Sequence, residues 1–261
     1  MSIVTLTTDF GVGSPYVAQM KGVILSIDPT VTLVDISHAV RPQDIRQGAV
    51  VLADVTRRFP AGTIHVAVID PGVGTDRAIL YAEMGGQRYI APDNGLLGPL
   101  AQQTPPDRLI RIANDAWWLK PTSRTFHGRD IMAPVAAHLS RGLDPAELGP
   151  PYDVVSPQPW PRPVVKPRRI EGEVLEIDSF GNLITNITDE LLVGRPTDNR
   201  VCVICGIYET YGILGTYAQQ LPGMFIALVS SSGRLELALV GDNAADRLGI
   251  PVGAPVVVAW D

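Results

Sequence analysis

Between Pro150 and Pro167, seven of eighteen positions are proline. Proline has no amide hydrogen to donate and fixes its own φ, so neither a helix nor an interior strand can run through such a stretch. A chain interrupted in this way is expected to fold as two units with separate cores: residues 1–150, a proline-rich linker over 151–168, and residues 169–261. Hydrophobic residues make up 46% of the 261 positions and charged residues 18%. That is enough apolar material for both cores.

The two halves carry different periodicities. In the first, short apolar runs alternate with helical spacing. Strands are expected over 3–8, 31–36 and 63–69. A helix after the first strand places Val17, Met20, Ile24 and Ile27 on one face. A second helix over 44–58 is expected to turn Ile45, Val50, Val51 and Val55 inward. This order favours an α/β layer with a mostly parallel sheet. Gly85-Gly86 joins two further runs, 78–82 and 87–90, as a hairpin. The second half reads as strands over 172–177, 183–187, 200–207, 225–230, 235–240 and 255–260, with a short helix over 244–248. The expected fold class is therefore α/β, with a smaller all-β, barrel-like second domain.

Several function classes are disfavoured. The formal net charge is −6, against the basic face of a nucleic-acid binder. Cys202 and Cys205 show C-x-x-C spacing but lie in a β-branched run, where residues three apart face opposite ways. They read as ordinary buried thiols rather than a redox pair. No apolar stretch reaches about 18 residues, and the N-terminal segment lacks a basic region and a cleavage site. A cytoplasmic protein is expected. There is no G-x-G-x-x-G, no Walker A sequence and no G-x-S-x-G elbow. His38, His65, His127 and His138 form no metal-ligand spacing.

Four segments concentrate chemistry. Thr7-Thr8-Asp9-Phe10-Gly11 puts a carboxylate directly after a strand, at the mouth of the sheet where open α/β folds bind ligands. Asp9 either receives the two hydroxyls of a ribose or caps the next helix. Asp70-Pro71-Gly72-Val73-Gly74-Thr75-Asp76-Arg77 ends another strand. It sets Asp70 and Arg77 within pairing range, as part of a site or as a structural turn. Phe126-His127-Gly128-Arg129-Asp130 opens an apolar helix. A histidine at a helix start has its pKa lowered and stays neutral, fit for proton transfer, unless it merely caps the helix. Asp178-Ser179-Phe180-Gly181-Asn182 brings a carboxylate, a ring and an amide to one tight turn. It suits a zwitterionic or purine ligand, or an Asx-type turn between strands.

These segments, with Ala91-Pro92-Asp93-Asn94-Gly95-Leu96-Leu97 between the second and third, occur in the order T-T-D-F-G, D-P-G-V-G-x-x-R, A-P-D-N-G-L-L, F-H-G-R-D and I-D-x-F-G-N-L-I-T-N. In that order, over nearly the whole chain, they resemble the S-adenosylmethionine hydroxide adenosyltransferases, hydrolytic relatives of the fluorinases and chlorinases. The resemblance implies hydrolysis of S-adenosylmethionine to adenosine and methionine, without a cofactor or metal. It also implies a homotrimer with active sites at subunit interfaces. By position it implies catalytic roles for Asp70, Arg77 and His127, and ribose binding by Asp9. Asp178 and Ser231 would meet the methionine part. Phe180 and Tyr217 would pack on the purine, with Asn182, Asn243 and Ala244 at the adenine edge. Fluorinases carry a serine where this chain has Gly128 and a tyrosine where it has His127, which points away from fluoride and towards water.

The chemistry is consistent with that implication. A sulfonium leaves as a neutral thioether and needs no general acid. The nucleophile is the difficulty, because water must be held and must lose a proton. Three other readings stay open: a halogenase, a non-catalytic sensor of S-adenosylmethionine or adenosine, and a methyltransferase, although the glycine-rich loop of the last is absent.

Overall fold

A computed structural model describes residues 2–261; Met1, the first residue of the N-terminal segment considered above, lies outside the described residues. The chain divides into two compact units that meet at Pro159/Trp160, inside the proline-rich run.

The first unit runs β1 (Ile3–Thr8), α1 (Pro15–Ile27), β2 (Thr32–Ser37), α2 (Ile45–Val55), β3 (Ile64–Val68), β4 (Ile79–Met84), β5 (Gln87–Pro92), α3 (Gly98–Gln103), β6 (Arg108–Arg111) and α4 (Ala133–Ser140). Its sheet has the order β2-β1-β3-β5-β4-β6. β1 pairs parallel with β2 and β3, and β3 parallel with β5. β4 runs antiparallel to β5 and β6, so the sheet is mixed. The reason is local: Gly85 and Gly86 both take positive φ, and a two-residue turn can join only antiparallel neighbours.

Helix α1 buries Val17, Met20 and Ile24 at the spacing read from the sequence, and Ser14 caps it. The buried stripe of α2 differs from the expected one. Val50 is buried as expected, whereas Ile45, Val51 and Val55 are half-exposed; buried as well are Ala49, Leu52, Ala53 and Thr56. Those four positions follow i, i+3, i+4, i+7, and the small side chains of Ala49 and Ala53 let the helix lie close on its neighbours. A Cβ on Gly48 would stand only 2.9 Å from Leu96 Cδ1 and 3.0 Å from Ile69 Cδ1.

The second unit runs β7 (Val164–Lys166), β8 (Arg169–Ile177), β9 (Leu183–Thr188), α5 (Asp189–Leu192), β10 (Val201–Cys205), β11 (Tyr208–Tyr211), β12 (Phe225–Val229), β13 (Arg234–Leu239), α6 (Ala244–Leu248) and β14 (Pro255–Trp260). The antiparallel order is β11-β10-β14-β8-β9-β13-β12. A bridge between Leu214 and Leu228 brings the two ends together into a nearly closed barrel. Val201, Val203, Cys205, Leu235, Leu237, Val256 and Val258 alternate into its core. Two strand expectations are refined here. The proline-free triplet 164–166 pairs with β8 as an edge strand, the position that a proline-rich neighbourhood tolerates. The expected strand 200–207 is the hairpin β10/β11, turning at Gly206 and the exposed Ile207. Both cysteines are free thiols, with Cys205 in the core and its pKa pushed up to about 11 by burial.

Candidate active site

Asp9 follows β1, Asp70 follows β3 and Ile69, and His127 precedes a π-helical turn, Gly128–Met132, that feeds α4. A parallel arrangement of β1 and β3 puts their C-terminal ends side by side, the usual place for a ligand in such sheets. The three residues line one cleft of about 590 Å³, together with Phe10, Tyr16, Gln43 and Gly128.

Asp70 and Arg77 form a forked ion pair. Arg77 Nε donates to Asp70 Oδ1 at 2.7 Å and to Oδ2 at 2.9 Å, and Arg77 Nη2 donates to Oδ2 as well. Their side chains are only 5% and 9% exposed. Charges this buried persist only when paired with good geometry. Arg77 Nη2 also lies 3.0 Å from His127 Nδ1. A guanidinium can only donate, so Nδ1 is the acceptor and the neutral ring carries its proton on Nε2. Burial, then the Arg77 cation, lowers the His127 pKa, while the Asp70 and Asp130 carboxylates act in the opposite sense. His127 makes no side-chain cap bond to the helix that follows.

The loop that carries His127 is tied to that helix. Asp130 is 1% exposed. It accepts the Ser123 N–H at 2.7 Å and Arg129 Nε at 2.6 Å, and its carbonyl accepts the Leu119 N–H at 2.8 Å. Burial works against its charge, but the Arg129 and Ser123 bonds outweigh it and hold its pKa below the usual carboxylate value. Gly74 serves packing here rather than ligand approach: its φ is +84° and an added Cβ would meet the Arg124 carbonyl at 2.8 Å. Phe10, Tyr16 and Phe126 form a three-ring wall with centroids 5.2–5.8 Å apart.

Asp9 does not cap α1; Ser14 does. Its Oδ2 accepts the Gln43 N–H at 2.7 Å, and Gln43 has a left-handed φ of 65°. One carboxylate thus holds a strained loop residue at the rim of the cleft. The A-P-D-N segment supports the site from behind. Asn94 Nδ2 donates to the Ile69 carbonyl at 2.9 Å, next to Asp70, while Asp93 accepts Tyr152 Oη and the Ser156 N–H.

The second unit has its own cleft of about 500 Å³, lined by Phe180, Asn182, Tyr217, Leu239, Gly241, Asp242 and Asn243. The turn after β8 is an Asx turn in form: Asp178 Oδ1 accepts the N–H groups of Phe180 and Asn182, and Oδ2 accepts Asn182 Nδ2 at 3.0 Å. Gly181 permits the closure of this cleft. Its φ is +85°, and a Cβ there would overlap the Asn243 amide. Asn243 caps α6 through the Asp246 N–H, and Ala244 is the buried first residue of that helix. Phe180 is 76% exposed and Tyr217 42%. Ser231 sits exposed in the β12–β13 turn, outside this lining.

Sequence reasoning missed Gln43, Asp130, Asn94 and Glu236. Glu236 had a visible signal: one acid inside the apolar alternation Leu235-Glu236-Leu237. Gln43 and Asn94 depend on contacts between segments far apart in the chain, and Asp130 on the closing of its own loop.

Models of the SAM hydroxide adenosyltransferase N-terminal and C-terminal domains match residues 4–149 and 172–257. The chain is 36% identical to an (R)-S-adenosyl-L-methionine hydrolase of Salinispora arenicola, covering 96% of this chain and 95% of that one. A second protein of that name, from Thermus thermophilus, is also 36% identical, with 98% and 99% covered. A fluorinase of an Actinoplanes species is 32% identical, with 98% and 97% covered. Among solved structures, one from Thermotoga maritima superposes with a TM-score of 0.93 at 34% identity, covering 98% of this chain and 99% of that one. Fold, motif order and full-length similarity agree, and the chain belongs to the SAM hydroxide adenosyltransferase family.

Proposed function

We propose that the protein hydrolyses S-adenosyl-L-methionine to adenosine and L-methionine, by attack of a water held in the first unit's cleft on the 5′ carbon. The observation that carries this reading is the Asp70–Arg77–His127 set, a buried carboxylate and a neutral histidine joined through one guanidinium.

As the carbon–oxygen bond forms, positive charge passes from sulfur to the attacking oxygen, which becomes strongly acidic. A weakly basic carboxylate is then a sufficient acceptor. Asp70 takes the proton, and its negative charge favours the transition state over the bound water. His127, with its proton on Nε2, donates a hydrogen bond that fixes the water. Arg77 orients both partners. Sulfur leaves as the neutral thioether of methionine, so no acid is required.

Asp9 is proposed to accept the ribose hydroxyls. Phe180 and Tyr217 would stack on the purine, with Asn182, Asn243 and Ala244 at its edge, and Asp178 and Ser231 at the methionine part. The family resemblance is what supports a homotrimer with active sites at subunit interfaces, and each cleft would take part of the ligand there. Light scattering of the purified protein tests that assembly.

Relatives carry the R descriptor in their names. With the α carbon fixed as L and the ribose invariant, R describes the sulfonium centre. We therefore propose that the R epimer is the preferred substrate, to be tested by incubation with each epimer separately. For the reaction itself, turnover in ¹⁸O-labelled water should place label on the adenosine 5′ oxygen. Unlabelled adenosine, or label only in methionine, would sink the mechanism; binding without turnover would support a sensor instead.

A further inference from the structure

Glu236 lies on β13 between Leu235 and Leu237, which enter the barrel core, so its own side chain points to the opposite face. It is nevertheless only 3% exposed, and among the described residues of the second unit no other carboxylate is buried. A buried acid needs a partner. Its partner is Tyr217, whose hydroxyl donates to Glu236 Oε1 at 2.5 Å.

Tyr217 stands on a 3-10 turn, Tyr217–Gln219, within the long connection 212–224 between β11 and β12. Residues 215–224 are all exposed. The turn is closed on itself by Thr216 and Gln219, contacts that shape it without fixing where the ring points. The bond to Glu236 runs from the ring to a central strand of the barrel. The Tyr217 ring lines the cleft with Phe180, Asn182 and Asn243.

We infer that Glu236 is a positioning residue: it holds the Tyr217 ring against the second unit's cleft and thereby sets the affinity for the purine. The inference rests on the assignment of that cleft to the purine. Glu236 itself lies outside the lining of the cleft, so its effect passes through the ring. A protein hydrogen bond of this kind is worth roughly a three- to tenfold change in binding when lost.

The test uses the full-length protein, with adenosine affinity by calorimetry and KM and kcat for S-adenosylmethionine. Tyr217→Ala examines the cleft assignment alone. If it leaves adenosine affinity unchanged, the assignment fails and the inference fails with it. With that assignment standing, Glu236→Leu is expected to weaken adenosine binding about three- to tenfold and to raise KM far more than it lowers kcat. Glu236→Gln keeps an acceptor and is expected to recover most of the lost affinity. In a Tyr217→Phe background, Glu236→Leu is expected to add nothing. The inference is overturned if Gln is as damaging as Leu, if the two losses multiply, or if Glu236→Leu binds adenosine normally. Should Glu236→Leu fail to fold, Tyr217→Phe removes the same bond from its exposed end, and unchanged adenosine affinity there overturns the inference too.

Discussion

Arg77 Nη2 lies 3.0 Å from His127 Nδ1 while the same guanidinium grips both oxygens of Asp70. Because arginine only donates, this one contact divides the labour between the two other residues. Under the proposed mechanism the histidine presents a donor and the carboxylate accepts the proton.

That division predicts unequal mutants. Asp70→Asn removes the acceptor and should lower kcat by about 10²–10⁴-fold, the usual worth of positioned proton transfer. His127→Asn keeps an amide oxygen facing Arg77 and an N–H for the water, so it should retain at least about ten times more activity than Asp70→Asn. The Asp70→Ala/His127→Ala pair should lose little beyond the worse single change, since residues acting as a unit are non-additive. Equal losses for the two Asn variants would return the base role to His127.

Asp9→Ala should raise KM more than it lowers kcat. Two ribose hydroxyls would lose a charged acceptor worth roughly 1.5–3 kcal/mol per bond, and Gln43 would lose the bond that holds its left-handed backbone. Asp9→Asn should fall between the two. Steady-state kinetics checks this, and an unchanged KM in Asp9→Ala would remove Asp9 from the site.

The pH profile follows from the direction of the His127 shift. Its pKa in the fold lies below 6.5, and the working form is neutral. Activity should therefore hold as pH falls through 6.5 and decline only further down. A kcat/KM already halved at pH 6.5 by a group that His127→Asn abolishes would contradict the assignment.

Stability should show a separate histidine. His65 on β3 bonds Thr5 Oγ1 at 2.7 Å and stacks on Tyr89. Burial lowers its pKa to about 4. The unfolded chain then binds the extra proton between pH 6.5 and about 4, so stability is full above 6.5 and falls as pH drops through that window. The loss should approach about 3 kcal/mol. Urea unfolding at pH 7 and pH 4.5 measures it, and His65→Leu should flatten the difference.

Much of this was legible beforehand because the informative residues are local. Asp9, Asp70 and His127 each sit at a strand end or helix start, so strand periodicity and a few glycines place them. The Asp70–Arg77 pair is seven residues apart and was visible as a turn. What was not legible depends on pairing between distant segments. Asn94 bracing Ile69 and Gln43 reaching Asp9 need the folded sheet before they exist. The α2 stripe was misread because Ala49 and Ala53 weigh less in an apolar pattern than Val51 and Val55, yet small residues are what a close helix–sheet contact demands.

The choice between water and halide turns on Gly128. A Cβ there would stand 3.2 and 3.3 Å from the Val68 methyls and 3.4 Å from Met20 Sδ. The helix start has therefore no ready space for the serine that fluorinases, by resemblance, carry at this position. Gly128→Ser alone should cost about 1–3 kcal/mol of stability through overpacking, and Val68→Ala should relieve part of it. Fluoride must be stripped of a tight hydration shell, and Gly128 offers no side-chain hydroxyl to help replace it. Chloride is less hydrated, yet an ionised Asp70 repels an anion by about 4 kcal/mol at 4 Å and an effective dielectric of 20. Arg77 offsets part of that repulsion, so the missing donor and the carboxylate act together. Adenosine should remain the dominant product even in molar chloride, with no fluorinated product. Asp70→Ala, which lifts the repulsion, is where trace 5′-chloro-5′-deoxyadenosine should appear by chromatography. If the native protein forms that chlorinated nucleoside faster than adenosine, the hydrolase reading gives way to a halogenase.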